Sequence, residues 1–197
     1  MWERTIDWFA GLREDAEEWA TGRSAPWRLP LLAYLIYAGV RHLADPLYRS
    51  WFAGITLIFH EMGHMLFSMM GHTLLFLGGT ILQIVVPLAA GAQLLFRQRD
   101  YYGVAVCGGW LSFSLWDIAT YVSDANKENL PLVAMGDNCK HDWATLLTEW
   151  RVLNYCDTFA SVIRVLAFVA WAGSMAAALW LCFLMWKSRD SSRGFDS

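Results

Sequence analysis

The stretch FHEMGHM, Phe59 to Met65, holds three side chains of types that do metal chemistry: His60, Glu61 and His64. Residues four apart lie on one face of a helix, so His60 and His64 can turn their imidazole nitrogens to one zinc ion. Glu61 stands beside the first histidine, placed to take a proton from a water that the metal polarises. A catalytic zinc normally takes three protein ligands and keeps a fourth position for water, so a third ligand has to come from elsewhere in the chain.

Asp117, in SLWDIATYV, is the expected third ligand, because it is the only acid besides Glu61 well inside an apolar stretch. With both stretches entering from one face at Trp51 and Gly103, a rise of about 1.5 Å per residue puts His60, His64 and Asp117 at roughly 14, 20 and 21 Å depth. A carboxylate bonded to a neighbouring hydroxyl or to Arg164 is the plainer role for Asp117. Asp124, one heptad further on, and His141 with Asp142, which open HDWATLLTEW, compete for the third position. For any of these to reach the ion the loop has to fold back into the membrane, which the helical pattern of residues 142 to 153 allows. His141 is the first of these alternatives, although capping or flanking a loop helix is the commoner role of such a histidine. His72 reads as an interfacial histidine.

The elements that position these residues are helices in a membrane. The chain has 197 residues of which 56% are hydrophobic, too apolar for a soluble core of this size to hide. Its twelve Trp and seven Tyr suit the headgroup level of a bilayer. Five stretches are long enough to cross: Trp27 to Ala44, Trp51 to Met70, Thr73 to Phe96, Gly103 to Val122 and Phe159 to Trp186. The expected fold is therefore all-α, a polytopic bundle of about five spans. Gly78, Gly79 and Pro87 mark the third as a candidate broken or re-entrant segment.

Residues 1–26 form an expected amphipathic helix on the membrane surface, with Ile6, Phe9, Leu12 and Ala16 at helical spacing and Trp2, Trp8 and Trp19 nearby. They carry too many acids for a cleavable signal peptide, so the segment is expected to be retained. Residues 27–186 are the membrane domain and 187–197 a polar tail. Five crossings put the termini on opposite sides. Arg41, Arg49, Arg97, Arg99, Lys187, Arg189 and Arg193 crowd the span ends of one face, which makes that face cytoplasmic, with the N-terminus outside and the C-terminus inside. Cys139 and Cys156 then share the outer loop and can pair, whereas Cys107 and Cys182 read as packing residues within spans. No Gly-rich phosphate loop and no basic nucleic-acid patch occurs.

HEMGH within a span, followed by GGTILQIVVPL and an aspartate in a later span, resembles the site-2 protease family of intramembrane zinc metalloproteases. The resemblance covers roughly spans two to four. It implies two zinc ligands at His60 and His64, the catalytic carboxylate at Glu61, a third ligand at Asp117, and a site nearer the cytoplasmic side. SLWDIA stands where that family has an Asn and Pro leading into Leu-Asp-Gly. With WDIATYVSDA and HDWATLL, the chain looks closer to a small bacterial branch allied to the family, which implies the inner membrane. The activity implied is an endopeptidase cutting a membrane-embedded or juxtamembrane peptide bond, its partners the lipid bilayer and a membrane protein or peptide substrate. The alternative is a catalytically silent relative, serving as a subunit or assembly factor of a larger membrane complex.

Overall fold

A computed structural model describes residues 2–130 and 141–193, with side chains described over 10–130 and 141–189. Seven α-helices and no strand occur among the described residues: α1 (Trp2–Ala20), α2 (Leu29–Ala44), α3 (Ala53–Phe67), α4 (His72–Gln93), α5 (Tyr101–Asp124), α6 (Asp142–Glu149) and α7 (Cys156–Arg193). The five expected apolar stretches are α2, α3, α4, α5 and α7. Two segments, 72–98 and 153–189, are long and apolar enough to cross a membrane, and α2 is a shorter apolar helix. The helix of α7 runs on to Arg193, into the stretch expected as a tail.

Local sequence explains the ends. Pro30 sits in the first turn of α2, where its missing N–H costs nothing. Asp100 caps α5 by accepting the Gly103 N–H at 3.1 Å. Gly71, at φ 98°, makes the tight turn between α3 and α4 that a side chain would strain.

α3 and α4 form a hairpin closed at glycine. A Cβ on Gly63 would run into the Gly78 carbonyl, so the two backbones touch directly. The expected break in α4 is absent: the helix is continuous through Gly78, Gly79 and Pro87. The glycines serve close packing, and buried Pro87 frees only the Gln83 carbonyl from its helical bond.

The start of α2 and the end of α7 do not lie at opposite ends of the bundle. α2 runs parallel to α5, with Tyr102 Oη donating to the Arg28 carbonyl (2.7 Å) near their starts and His42 stacked on Trp116 (5.2 Å) further along. Thr120 Oγ1 donates to the Pro46 carbonyl (2.9 Å), and from there the chain turns back until the Trp51 N–H reaches Tyr34 Oη (2.7 Å). α3 therefore starts beside the middle of α2 and runs the same way. α7 is antiparallel to α5, since Ser123 bonds Asp157 (2.8 Å) at one end and Gly108 abuts Ser174 further down. The start of α2 and the end of α7 thus share one end of the bundle, because residues 45–52 retrace half of α2 and remove one reversal from the expected alternation.

The core has two parts. Leu32, Leu35 and Ala38 of α2 meet Phe113 and Trp116 of α5 and Met175, Ala178 and Leu181 of α7. α1 joins this cluster through Ala16 and Ala20, with Trp19 edge-on to Tyr101. The side chains of Trp2, Ile6, Trp8 and Phe9 lie outside the described residues, as does Cys139. Cys156, its expected partner, is buried in the second cluster with Ile118, Val122, Leu147 and Ala160. Leu146 and Leu147 bury themselves fully, and at about 1.5–3 kcal/mol each they fold α6 back onto the bundle.

Candidate metal centre

α3 supplies two imidazoles to one point and α6 supplies a carboxylate. His60 Nε2 lies 3.0 Å from His64 Nε2, and Asp142 Oδ2 lies 3.2 Å from the first and 3.3 Å from the second. Among the described residues this is the one trio of His, Cys, Asp or Glu whose ligand atoms gather within 4.8 Å of one another. His60 is buried, and Gly79 of α4 makes that possible: a Cβ there would stand 2.6 Å from His60 Cε1.

The outer ring nitrogens decide what the inner ones carry. His60 Nδ1 donates to Gln83 Oε1 at 2.9 Å, and His64 Nδ1 donates to the Leu75 carbonyl at 2.7 Å. Both partners are acceptors, so each Nδ1 holds the proton and each Nε2 presents a lone pair. With both rings neutral, two imidazole lone pairs and a carboxylate oxygen then face one another with no hydrogen between them. Such a trio is repulsive unless a cation sits among it, and in apolar surroundings the cost is several kcal/mol. His60, His64 and Asp142 form a group that can hold a metal ion. Hydrogen bonds from the far side of each imidazole are the usual support of metal-binding histidines.

No protein-family model, curated protein or solved structure matches the chain. The chemistry of the site rests on its own geometry.

Asp117 does not join this group. Its face of α5 addresses the returning segment 45–52: Thr120, three residues on, bonds Pro46, and Arg49 is the cation whose charge reaches Asp117. The expected depths assumed that Trp51 and Gly103 start at one level, whereas α3 starts beside the middle of α2 and α5 beside its beginning, and the face of α5 that carries Asp117 turns to the 45–52 segment. Of the competing residues, Asp142 reaches the histidines. Asp124 instead accepts the N–H groups of Asn129 (3.1 Å) and Leu130 (2.9 Å). His141 caps α6, its Nδ1 accepting the Ala144 N–H at 3.1 Å while Nε2 points at Asp124 Oδ2, 3.6 Å away. It does so fully buried, not at the surface. His72 is exposed and pairs with Glu149 of α6 at 3.1 Å.

One loop group has a shifted acidity. Burial pushes the His141 imidazole down, against the pull of Asp124, which keeps it neutral as a cap. Glu61 is half-buried and makes no hydrogen bond or ion pair with the described residues, while its charge reaches both His64 and Tyr121.

Three supports carry no motif. Gln83 is the lone amide between Thr73 and Ala92, and a polar side chain in so apolar a stretch is itself a signal. Tyr121, which meets Asp142, looks like one more aromatic among many. The Leu75 carbonyl has no sequence signal at all.

Proposed function

We propose that this chain is a zinc-dependent intramembrane endopeptidase whose metal ligands are His60, His64 and Asp142 and whose general base is Glu61. The single observation that carries the reading is the convergence of His60 Nε2, His64 Nε2 and Asp142 Oδ2, each histidine held by an outer hydrogen bond. Two imidazoles and one carboxylate are a donor set that zinc takes in catalytic sites, with one position left for solvent. Zinc there would supply Lewis acidity, lowering the pKa of a water and polarising a peptide carbonyl.

The chain's own residues do the rest. Glu61 follows directly on a ligand in sequence and makes no hydrogen bond or ion pair with the described residues, so its carboxylate would accept the water's proton and pass it to the leaving amine. The Asp142 carboxylate would offset one of the two metal charges. The membrane setting is supported by the bundle's outside: Val162, Val165, Leu166 and Val169 of α7 and Ile58, Met62, Met65 and Leu66 of α3 all face outward and exposed. Exposed apolar faces of this kind belong in lipid, and they are the basis for reading α2, α3 and α5 as membrane helices beside the two long ones.

The test is zinc content and peptide cleavage on the detergent-solubilised chain and its Glu61→Gln variant, assayed with transmembrane peptides. The wild type should hold one zinc per chain and cut, and the variant should hold the same zinc with cleavage lowered at least about 100-fold. A wild type without zinc overturns the reading. Zinc without cleavage of any peptide would make the chain a non-catalytic subunit of a membrane complex.

A further inference from the structure

Away from the metal centre, two clefts adjoin at Tyr101, which lines both. The first holds about 810 Å³ and lies between α1, α5 and α7, where small residues face it: Ala105 and Gly108 of α5, Gly173 and Ala177 of α7. Apart from Arg13 and Ser174 its lining is apolar or aromatic. Gly108 and Ser174 touch, so α5 and α7 close against each other there, whereas a Cβ on Gly173 would meet nothing within 4 Å. From Tyr101 to Gly108 the cleft runs roughly 10 Å along α5, and Gly108 lies roughly 20 Å along the same helix from Tyr121, beside the metal site.

The second cleft, about 470 Å³, is lined by charges of both signs: Asp15, Glu18, Arg23 and Arg99. Of the arginines in the two clefts, Arg13 pairs with Glu17 (2.9 Å) and Arg99 with Asp15 (3.6 Å). Arg23 gives its Nε proton to the Trp19 carbonyl (2.7 Å) and lies 4.4 Å over the Trp19 ring, with no carboxylate partner among the described residues. The Glu18 carboxylate likewise makes no hydrogen bond or ion pair with the described residues. Trp19 stands edge-on to Tyr101, and such aromatic rings collect at the level of lipid headgroups.

An apolar cleft adjoining a charged one fits an amphiphile, and a volume of this size is that of a ligand site. In a bilayer the amphiphile at hand is a phospholipid, whose acyl chain fills apolar space that water leaves dry. The charged half selects the headgroup. Arg23 keeps N–H donors for a phosphate, as basic pockets beside membrane helices do. Glu18 is an acceptor without a donor, the complement of a primary ammonium and its three N–H groups. A choline headgroup has no N–H to give, and a glycerol headgroup has no positive charge. We propose that the double cleft binds one phosphatidylethanolamine, with an acyl chain over Gly173, the phosphate on Arg23 and the ammonium on Glu18. The metal centre plays no part in this, so either reading stands or falls alone.

Native mass spectrometry of the full detergent-solubilised chain, mixed with equal amounts of phosphatidylethanolamine, phosphatidylcholine and phosphatidylglycerol, tests it. The wild type should retain one phosphatidylethanolamine per chain, about 5-fold in preference to either of the others. Gly173→Phe, which puts a ring into the open cleft, should lower retention of all three at least about 10-fold, with the lipid-free melting temperature unchanged or higher. Glu18→Gln, on an exposed side chain that needs no new space, should keep lipid binding and lose the preference, which decides the headgroup even if Gly173→Phe fails to fold. Equal retention of the three lipids by the wild type, or undiminished retention in a folded Gly173→Phe, overturns the proposal. Dimers of the wild type that Gly173→Phe abolishes would give the cleft to a second copy of the chain and overturn it as well.

Discussion

Gly79 has no side chain because the His60 ring occupies the space that a Cβ would fill, 2.6 Å from where that carbon would stand. One glycine on α4 thus sets the position of a metal-site imidazole on α3. Its neighbour Gly78 lets the Gly63 backbone approach. The middle of the HEMGH motif is in this way a packing device as well as a chemical one.

Gly79→Ala is therefore expected to push the His60 ring off Gln83, lowering stability by about 1–3 kcal/mol and weakening metal binding together. Gly54→Ala, at the start of α3 and with nothing within 4 Å of the added carbon, should leave the melting temperature unchanged or raise it slightly. Thermal unfolding of both variants in detergent checks the contrast. Equal losses in the two would show that the hairpin contact is not what Gly79 protects.

The ligand assignment separates two aspartates. Asp142→Asn should lose stoichiometric zinc, as should His60→Ala and His64→Ala, because each removes one of the three converging atoms. Asp117→Asn should keep its zinc, since that carboxylate answers to Arg49 and the 45–52 segment. Metal analysis of the purified variants decides it, and zinc lost from Asp117→Asn but kept by Asp142→Asn would reverse the assignment.

Acid should loosen α6 through His141. Its folded pKa lies below the unfolded value of about 6.5, so the neutral cap contributes stability above that pH, and the contribution is lost as the pH falls toward the lower folded value. Protonation also removes the lone pair that accepts the Ala144 N–H. Amide exchange across residues 142–149 in metal-free protein should accelerate between pH 7 and pH 5, beyond the intrinsic change. His141→Asn, which can still cap the helix, should flatten that dependence; an equal acceleration in this variant would place the titrating group elsewhere.

Much of this protein is legible in the residues alone. The helical class, the apolar stretches that become α2, α3, α4, α5 and α7, and the pairing of His60 with His64 all follow from local periodicity, because residues four apart on a helix must share a face. A fold-back of the HDWATLL segment was open on the same grounds, since its helical pattern was visible in isolation. Which carboxylate meets the histidines was not: depth can be counted along a helix at a fixed rise, but rotation about its axis depends on what packs against it. The return of residues 45–52 alongside α2 carried no apolar signature, and it alone brings the start of α2 and the end of α7 to one end of the bundle. Gln83, Tyr121 and the Leu75 carbonyl are distant in sequence from the motif they support, and only the packing of α4, α5 and α6 around α3 brings them into hydrogen-bonding range. Short-range geometry belongs to the chain; the third ligand and its supports are long-range contacts, decided by the sum of the whole core.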